Sequence, residues 1–211
     1  MSHYPVYLTS IYSQCISASD IIVVLVETPI DEKTGLHNLA PLFKCIDMVK
    51  ENIEDKKPIV CISSTVLPGT AQQVQDRLGN KAIVVSLPSQ ATIGRIFKQL
   101  LTEPFSVIIG TQDGSNTAEA RIVEDLWIKC GRDFAAYNSH FEFTVTNYAN
   151  AELSKILFLT YLNHQVSYGN FIAELCENVP GGDAEVVLNA MSKDPRMNTA
   201  YMHRGIGAGG P

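Results

Sequence analysis

The sequence lacks long apolar runs and clusters of basic residues. Its longest continuous apolar run, Ile21–Val26, is far shorter than the roughly 20 residues of a membrane-spanning helix. The largest basic cluster is the pair Lys56 and Lys57, and the formal net charge is −6. Nucleic acids and anionic membranes attract proteins with a basic surface, so this composition argues against either one as the main partner.

Closely spaced metal ligands are also missing. The five cysteines form no C-x-x-C pair and the five histidines form no H-x-x-x-H pair, so no metal site is expected. Apolar neighbours around each cysteine predict buried, reduced thiols. The N-terminus lacks the basic and apolar regions of a signal peptide. Both features favour the cytoplasm or another reducing compartment.

Strand-like and helix-like patterns of apolar residues alternate over the first 146 residues. Short runs rich in β-branched residues predict strands, and apolar residues three or four positions apart predict helices between them. Strands are predicted at 21–26, 59–62, 82–87, 105–110 and 141–146, and helices at 39–53, 74–78 and 117–130. Over the first 90 residues the order is strand, helix, strand, helix, strand, which predicts an α/β fold with parallel strands joined by right-handed helical crossovers.

Particular residues are predicted to set the ends of these elements. Asn38 is placed to cap the helix at 39–53, and Asp183 is placed to cap a last helix. Gly131 is predicted to end the helix at 117–130. If the first strand lies at an edge of the sheet, the segment Val6–Tyr12 is a candidate to cover it.

The longest predicted helix spans residues 148–177. This stretch has no proline and one glycine, so it predicts a single helix about 45 Å long. Such a helix exceeds what one small domain needs, and its apolar residues occupy much of its circumference. We therefore expect a homodimer or a larger protein assembly that buries this helix, with contact residues Tyr161, Leu162, Val166 and Phe171.

Six strings of residues match one known family in order and spacing. They are V-E-T-P ending at 29, S-S-T-V-L-P-G-T at 63–70, the strand at 104–110, A-E-L-S-K at 151–155 with N-F-I-A-E-L-C-E at 170–177, D-P-R at 194–196 and G-I-G-A-G-G at 205–210. Together they resemble the UDP-glucose/GDP-mannose 6-dehydrogenase family over nearly the whole chain. The resemblance implies a Rossmann domain, a long central helix that forms the dimer, and NAD-dependent oxidation of a sugar 6-hydroxymethyl group to a carboxylate through a cysteine thioester.

The resemblance also implies two domains, of which the first is incomplete. Residues 1–146 are predicted to form a partial Rossmann-like domain, and residues 147–211 the long central helix with a small helical dimerisation segment. The family carries G-x-G-x-x-G on its first strand and helix, and no such motif opens this sequence. We therefore expect no cofactor for this chain, and NAD only if the family activity is retained.

The resemblance implies a set of site positions, carried over residue by residue. Lys155 corresponds to a catalytic lysine, Thr28 and Thr65 correspond to threonines near the dinucleotide, and Arg196 and Gly207 correspond to positions near the sugar. The neighbouring residues by themselves favour a helix-surface role for Lys155 and turn-forming roles for the two threonines.

Several catalytic positions depart from the family pattern. Ser89 and Ile93 stand where the family has glutamates, and Leu159 stands where it has an asparagine one turn after the lysine. A hydroxyl without an adjacent base does not accept a proton near neutral pH, and an alkyl side chain transfers none. No cysteine of the chain matches the family's nucleophile position.

Three hypotheses remain open on these observations. The first is a catalytically inactive assembly or scaffold subunit that acts through the long helix. The second is a segment of a working NAD-dependent UDP-glucose 6-dehydrogenase. The third is a nucleotide-sugar-binding partner that regulates a true enzyme by pairing with it. The mass of the native protein separates the second hypothesis from the first.

Overall fold

A computed structural model of the protein describes residues 7–54, 56–90, 105–134, 141–202 and 205. The strands are β1 (Ile21–Val24), β2 (Ile59–Ile62), β3 (Ile83–Ser86), β4 (Phe105–Thr111) and β5 (Phe141–Asn147). The helices are α1 (Tyr12–Ala18), α2 (Ala40–Asn52), α3 (Thr70–Leu78), α4 (Ala118–Phe134), α5 (Tyr148–Glu177) and α6 (Ala184–Met191), and a 3-10 turn, Gly79–Lys81, follows α3.

The strands form one sheet in the order β1-β2-β3-β4-β5. β1, β2 and β3 run parallel to one another, and β4 runs parallel to β5. β3 and β4 are antiparallel, and in the described residues they are joined through the pair Ser86 and Gly110. The predicted α/β fold with a partial Rossmann-like sheet and a long helix is confirmed, and β1, β2 and β3 are parallel, as the order of elements in the first 90 residues predicts. The antiparallel pairing of β3 with β4 lies outside that prediction.

Beyond the pair Ser86 and Gly110, side chains take the place of the ladder between β3 and β4. The Val84 N–H donates to the Gln75 side-chain oxygen at 2.8 Å. The Val84 carbonyl accepts from the Tyr148 hydroxyl, also at 2.8 Å. Because both backbone groups of Val84 are already bonded, the two strands can diverge at this point without leaving buried polar groups unsatisfied.

β1 is two residues shorter than the apolar run that predicts it. The Val26 N–H donates to the Ser64 hydroxyl oxygen, and the same hydroxyl donates to the Val26 carbonyl, each at 2.8 Å. Ser64 is buried. One side chain therefore replaces the next rung of the ladder, and β1 ends at Val24.

Apolar layers cover the two faces of the sheet. One layer packs alternate strand residues, such as Val24 and Val60, with residues of α2 and α3. The other packs the intervening residues, such as Cys61 and Val85, with β4 and α4. Successive strand residues point to opposite faces, so strands that are apolar throughout serve both layers.

A side-chain cap acts at the start of α6, and a side chain that precedes the N-cap Leu39 bonds the first N–H of α2. The Asp183 carboxylate accepts from the N–H groups of the first turn of α6, as predicted. The Asn38 side-chain oxygen accepts from the Ala40 N–H at 3.0 Å, so Asn38 supports the start of α2 from just outside it. Pro41 follows in the first turn of α2, where its missing N–H costs nothing.

Two other predicted features are wrong. Gly131 does not end α4, which continues to Phe134; an interior glycine costs only about 1 kcal/mol relative to alanine, and the helix tolerates it. Residues 7–11 form no strand beside β1. Instead, α1 begins at Tyr12, and its residue Ile16 packs against the apolar layer that contains α2 and α3. Val6 lies outside the described residues.

The chain divides into two compact units, 1–155 and 156–211. The first unit contains the whole sheet and the first two turns of α5. Inside the second unit, Gln165 donates from its side chain to the Asn198 carbonyl at 2.7 Å, and Asn170 exchanges two hydrogen bonds with the Gly205 backbone. These bonds hold the segment after α6 against α5.

Gly110 lies where β3, β4 and the start of α5 come close together. A Cβ atom at this position would lie 2.8 Å from the Ala151 Cβ, 2.9 Å from the Ser86 Cβ and 3.3 Å from the Tyr148 Cα. These separations are shorter than carbon–carbon contact distances. A glycine is therefore required here by packing.

Replacing Gly110 with alanine is expected to lower the free energy of unfolding by about 1–3 kcal/mol, because the added methyl group overpacks a filled interior. Urea denaturation followed by circular dichroism measures the change. The double variant G110A/A151G should be more stable than the sum of the two single changes predicts. Strict additivity would show that Ala151 is not the neighbour that clashes.

Candidate functional site

The loops that follow β1 and β2 meet at the carboxyl ends of these strands. The Thr28 hydroxyl donates to the Thr65 carbonyl at 2.6 Å, and the His37 ring nitrogen Nδ1 lies 2.9 Å from the Thr28 carbonyl oxygen. Thr28 is buried, and Thr65 is partly buried. The structure therefore brings the two threonines of the predicted cofactor site into direct contact.

In this contact the Thr28 hydroxyl proton is donated to a carbonyl of the protein itself. The bond ties the β1–α2 loop to the β2–α3 loop, close to the Ser64 bridge that ends β1. Crevices at the carboxyl ends of parallel strands are the usual ligand sites of open α/β sheets. Cofactor binding at Thr28 and Thr65 stays a prediction, while their mutual bond gives both residues a structural role.

The Glu152 carboxylate caps α3 from a distant part of the chain. Its oxygen Oε2 accepts from the Gly69 N–H at 2.6 Å, and Oε1 accepts from the Ala71 N–H at 2.7 Å. Gly69 is the N-cap of α3 with φ +93°, so it has no side chain to bond the first N–H groups of the helix. A negative charge is also favoured by the dipole at this end of a helix.

Glu152 is fully buried, and two opposing effects act on the pKa of its carboxyl group. Burial raises the pKa of Glu152, while the N–H groups of Ala71, Gly69 and Thr70 lower it because they favour the charged form. The sequence contained a signal for this residue. A helix that begins at a glycine needs an acceptor from elsewhere, and a glutamate in the first turns of the long helix is a candidate.

Lys155 lies one turn after Glu152 on α5. It is partly buried, and burial lowers the pKa of its ammonium group because the charged form loses water. Leu159, one further turn along the same face, is partly buried as well and offers no polar atom beside the lysine. Ser89 is partly buried at the end of β3, and Ile93 lies outside the described residues.

Arg196 belongs to the second unit and forms a local ion pair. Its Nε and Nη2 atoms donate to the two carboxylate oxygens of Asp194, at 2.9 Å and 2.5 Å. The Arg196 guanidinium lowers the pKa of Asp194, and both side chains are in contact with solvent. Gly207, the other predicted sugar-site residue, lies outside the described residues.

A cavity of about 240 Å³ opens where β3 and β4 diverge. Its wall includes Gln75, Thr111, Asp113, Glu119 and Tyr148. None of the predicted site residues lines it. Burial raises the pKa of the Tyr148 hydroxyl to about 12, so this group stays protonated and keeps its bond to Val84. Sequence patterns do not reveal this cavity, because it depends on how two strands separate.

A dinucleotide needs a place for its pyrophosphate, usually a helix N-terminus with free N–H groups. At α3 those groups are bonded to Glu152. At α2 the first N–H is bonded to Asn38, and Pro41 has none. Several of the N–H groups at the starts of α2 and α3 are thus bonded within the chain itself, and a pyrophosphate there would have to displace these bonds.

The described ranges contain neither a cluster of metal ligands nor a membrane-spanning helix. In these ranges no group of three or more His, Cys, Asp or Glu side chains is arranged to hold a metal ion. Likewise, no helix of the described chain, including α5, is both long and apolar enough to cross a membrane.

Comparison with known families assigns both parts of the chain. Residues 4–129 match the NAD binding domain of the UDP-glucose/GDP-mannose dehydrogenase family, and residues 149–211 match the central domain of the same family. The chain belongs to the UDP-glucose/GDP-mannose dehydrogenase family. The predicted resemblance is confirmed, and NAD is the cofactor named for the family's first domain.

Individual relatives show how much of the chain is shared with other proteins. The chain is 34% identical to the uncharacterized protein MJ1054 of Methanocaldococcus jannaschii over 92% of this chain and 21% of that protein. It is 30% identical to the UDP-glucose 6-dehydrogenase TuaD of Bacillus subtilis over 92% of this chain and 40% of TuaD. A UDP-glucose dehydrogenase structure from Pyrobaculum islandicum superposes with a TM-score of 0.77 at 24% identity, covering 96% of this chain and 45% of that one. The chain thus spans less than half the length of these relatives.

Replacing Glu152 with glutamine is expected to lower the free energy of unfolding by about 2–3 kcal/mol, because an NH₂ group would then face a backbone N–H donor. Chemical denaturation measures the loss, and hydrogen exchange should become faster at the Gly69 and Ala71 amides. Glu174→Gln is the matched control on an exposed position of the same helix. Equal stability of the two variants would contradict the capping role.

Proposed function

We propose that this chain is a non-catalytic assembly subunit of the UDP-glucose/GDP-mannose dehydrogenase family that pairs with another protein chain through α5. One observation carries the proposal. An apolar stripe on α5 is exposed to solvent, and its residues are spaced three, four or seven apart, which places them on one helical face. The apolar stripe consists of Leu157, Tyr161, Tyr168, Phe171 and Leu175.

The exposed stripe differs from the contact face predicted by the sequence. Val166 is only 5% exposed, and Leu162 is partly buried, so the chain covers these two residues itself. Tyr161 and Phe171 do lie on the exposed side, as expected. Helical periodicity shows that α5 has more than one apolar face, but it does not show which face the chain's own residues cover.

The apolar stripe has the properties of a contact surface. Leu157 is 59% exposed, and the rings of Tyr168 and Phe171 stack with their centroids 6.1 Å apart. Fully burying one large apolar side chain contributes roughly 1.5–3 kcal/mol. A contiguous patch of five such residues marks an interaction site more often than an incidental exposure. Pairing about a two-fold axis would bury the stripe of each chain against that of the other.

The substitutions at the family's catalytic positions support the non-catalytic part of the proposal. Lys155 is followed one turn later by Leu159, so the face that holds the lysine has no amide beside it. Ser89 occupies the position expected for a carboxylate base. Losses of interacting catalytic groups commonly lower kcat by several orders of magnitude, even when only one is missing.

The unaltered chain is expected to sediment with twice its 23.1 kDa mass at micromolar concentration. Changing Leu157 and Phe171 together to glutamate should yield a monomer, because a two-fold contact would then bury unpaired charges. Analytical ultracentrifugation distinguishes the two masses. Val186→Glu, an exposed apolar position on α6, is the matched control and should remain a dimer. A monomeric unaltered chain would refute homodimerisation.

The purified chain is expected to form no NADH from NAD with UDP-glucose or GDP-mannose, since the family's base and amide positions lack matching residues. NADH absorbance measures turnover, with TuaD as the positive control for UDP-glucose. Formation of NADH above a heat-inactivated sample would contradict the proposal.

A segment of a working UDP-glucose 6-dehydrogenase is the second candidate. It is favoured by the observation that the chain spans 40% of TuaD and 46% of the UDP-glucose 6-dehydrogenase of Rickettsia bellii. The mass of the native protein decides between the candidates. A value near 23.1 kDa supports the assembly subunit, and a value near twice that in denaturing conditions supports the longer enzyme. The nucleotide-sugar-binding regulator gains less support, because Arg196 is bonded to its own neighbour Asp194.

A further inference from the structure

The cavity between β3 and β4 lies at the opposite edge of the sheet from the crevice at the carboxyl ends of β1 and β2. β3 begins at Ile83 and β4 ends at Thr111, and the antiparallel pair Ser86 and Gly110 places these two ends at the same edge. Open α/β sheets bind ligands outside the carboxyl ends of their strands, and for β4 and β5 this is the edge that holds the cavity.

The lining of the cavity is apolar where it is buried and acidic where it is exposed. Val84 and Val85 are almost completely buried, whereas Asp113 is exposed and Glu119 is partly exposed. Among the described residues that line the cavity, these two carboxylates are the only charged groups, and none of the lining residues is basic. A ligand with an apolar stem and a positively charged end matches this division.

The Asp113 carboxylate is held in place by the loop that follows β4. The Ser115 hydroxyl and the Ser115 N–H donate to its oxygen Oδ1 at 2.7 Å and 2.9 Å. These bonds lower the pKa of Asp113, because they favour the charged form of the carboxyl group. The second oxygen, Oδ2, accepts neither bond, so a fixed negative group borders the cavity.

The Glu119 carboxylate borders the same cavity from the first turn of α4. The helix dipole stabilises a carboxylate at that position. The ion pairs among the described residues are Arg77 with Asp47 and Arg196 with Asp194, so in this part of the chain Glu119 has no cationic partner. The two carboxylates would repel an anion at the start of α4 and attract a cation.

We propose that the cavity binds a small alkyl cation, with its guanidinium or ammonium group at Asp113 and Glu119 and its stem against Ile83 and Tyr148. Pockets for drug-sized ligands measure about 300–1,000 Å³. The volume of about 240 Å³ is too small to enclose a nucleotide and suits a ligand no larger than an amino acid. No residue of the apolar stripe lines the cavity, so this inference does not depend on pairing through α5.

Titration of the isotope-labelled chain with butylguanidinium, followed by NMR, tests the inference. Saturable chemical-shift changes are expected at the amides of Thr111, Asp113 and Glu119 at millimolar concentration. Butanol should bind at least about tenfold more weakly, because it has the same stem but makes no charge-assisted hydrogen bonds. A blocked peptide with one arginine is titrated in parallel. Tighter binding of the peptide assigns the cation to a polypeptide side chain, and weaker binding assigns it to a free small molecule.

Three variants separate the cavity from a general attraction of charges. Glu119→Gln should weaken the binding of butylguanidinium about tenfold, because it removes one charged acceptor. Asp125→Asn removes a carboxylate from an exposed position of α4 outside the lining, and it should leave the binding unchanged. Ile83→Trp keeps both carboxylates and should abolish the binding by filling the cavity, and retained dispersion of the amide resonances shows that this variant is folded.

Three results would overturn the inference. The first is the absence of saturable shifts at the cavity in the unaltered chain. The second is equal affinity for butanol and butylguanidinium, which would show that the charge is not recognised. The third is an equal loss of affinity in Glu119→Gln and Asp125→Asn, which would show that the net charge of the chain, and not this cavity, attracts the cation.

Discussion

The buried carboxylate of Glu152 is the interaction on which the arrangement of the first unit depends. It bonds the N–H groups of Gly69 and Ala71, which have no acceptor within α3 itself. A buried donor left without a partner costs about 1–3 kcal/mol. Removing the Glu152 side chain would therefore leave two donors without an acceptor at once. The contact fixes the start of α5 to the start of α3, although the residues are 81 and 83 positions apart.

The same face of α5 carries two other contacts with the sheet, and together with Glu152 they position the candidate catalytic lysine. Tyr148 bonds the Val84 carbonyl of β3, and Ala151 packs where Gly110 of β4 has no side chain. Residues three, four and seven positions apart share one face of a helix, so Lys155 continues the face that begins at Tyr148 and includes Glu152. The sheet thus determines where Lys155 lies, independently of any chemistry that the lysine performs.

Patterns within short stretches predicted most of the secondary structure, because such patterns depend on neighbouring residues. The bounds of α5 followed from a stretch without proline, and the strands followed from β-branched runs. The antiparallel approach of β3 and β4 was missed, since strand direction depends on how the chain returns and not on apolar spacing. Glu152 and the bond between Thr28 and Thr65 were missed for a similar reason, because each joins residues that are far apart in sequence. The exposed face of α5 was misjudged at Val166 because periodicity does not show which neighbour covers a face.

The polar groups near the ends of β1 and β2 form hydrogen bonds within the chain, whereas apolar surface at β1 and on α5 stays exposed to water. At the carboxyl ends of β1 and β2, the polar groups of Thr28, Asn38 and Glu152 are bonded within the protein, so a polar ligand would have to replace existing hydrogen bonds. Such an exchange contributes little net free energy, because each new bond costs an old one. The exposed apolar surface at β1 and on α5 makes no hydrogen bonds, and burying it contributes roughly 25 cal/mol of free energy for each Å² removed from water. The described polar groups at this end of the sheet are thus bonded within the chain, whereas the apolar stripe of α5 remains exposed to solvent.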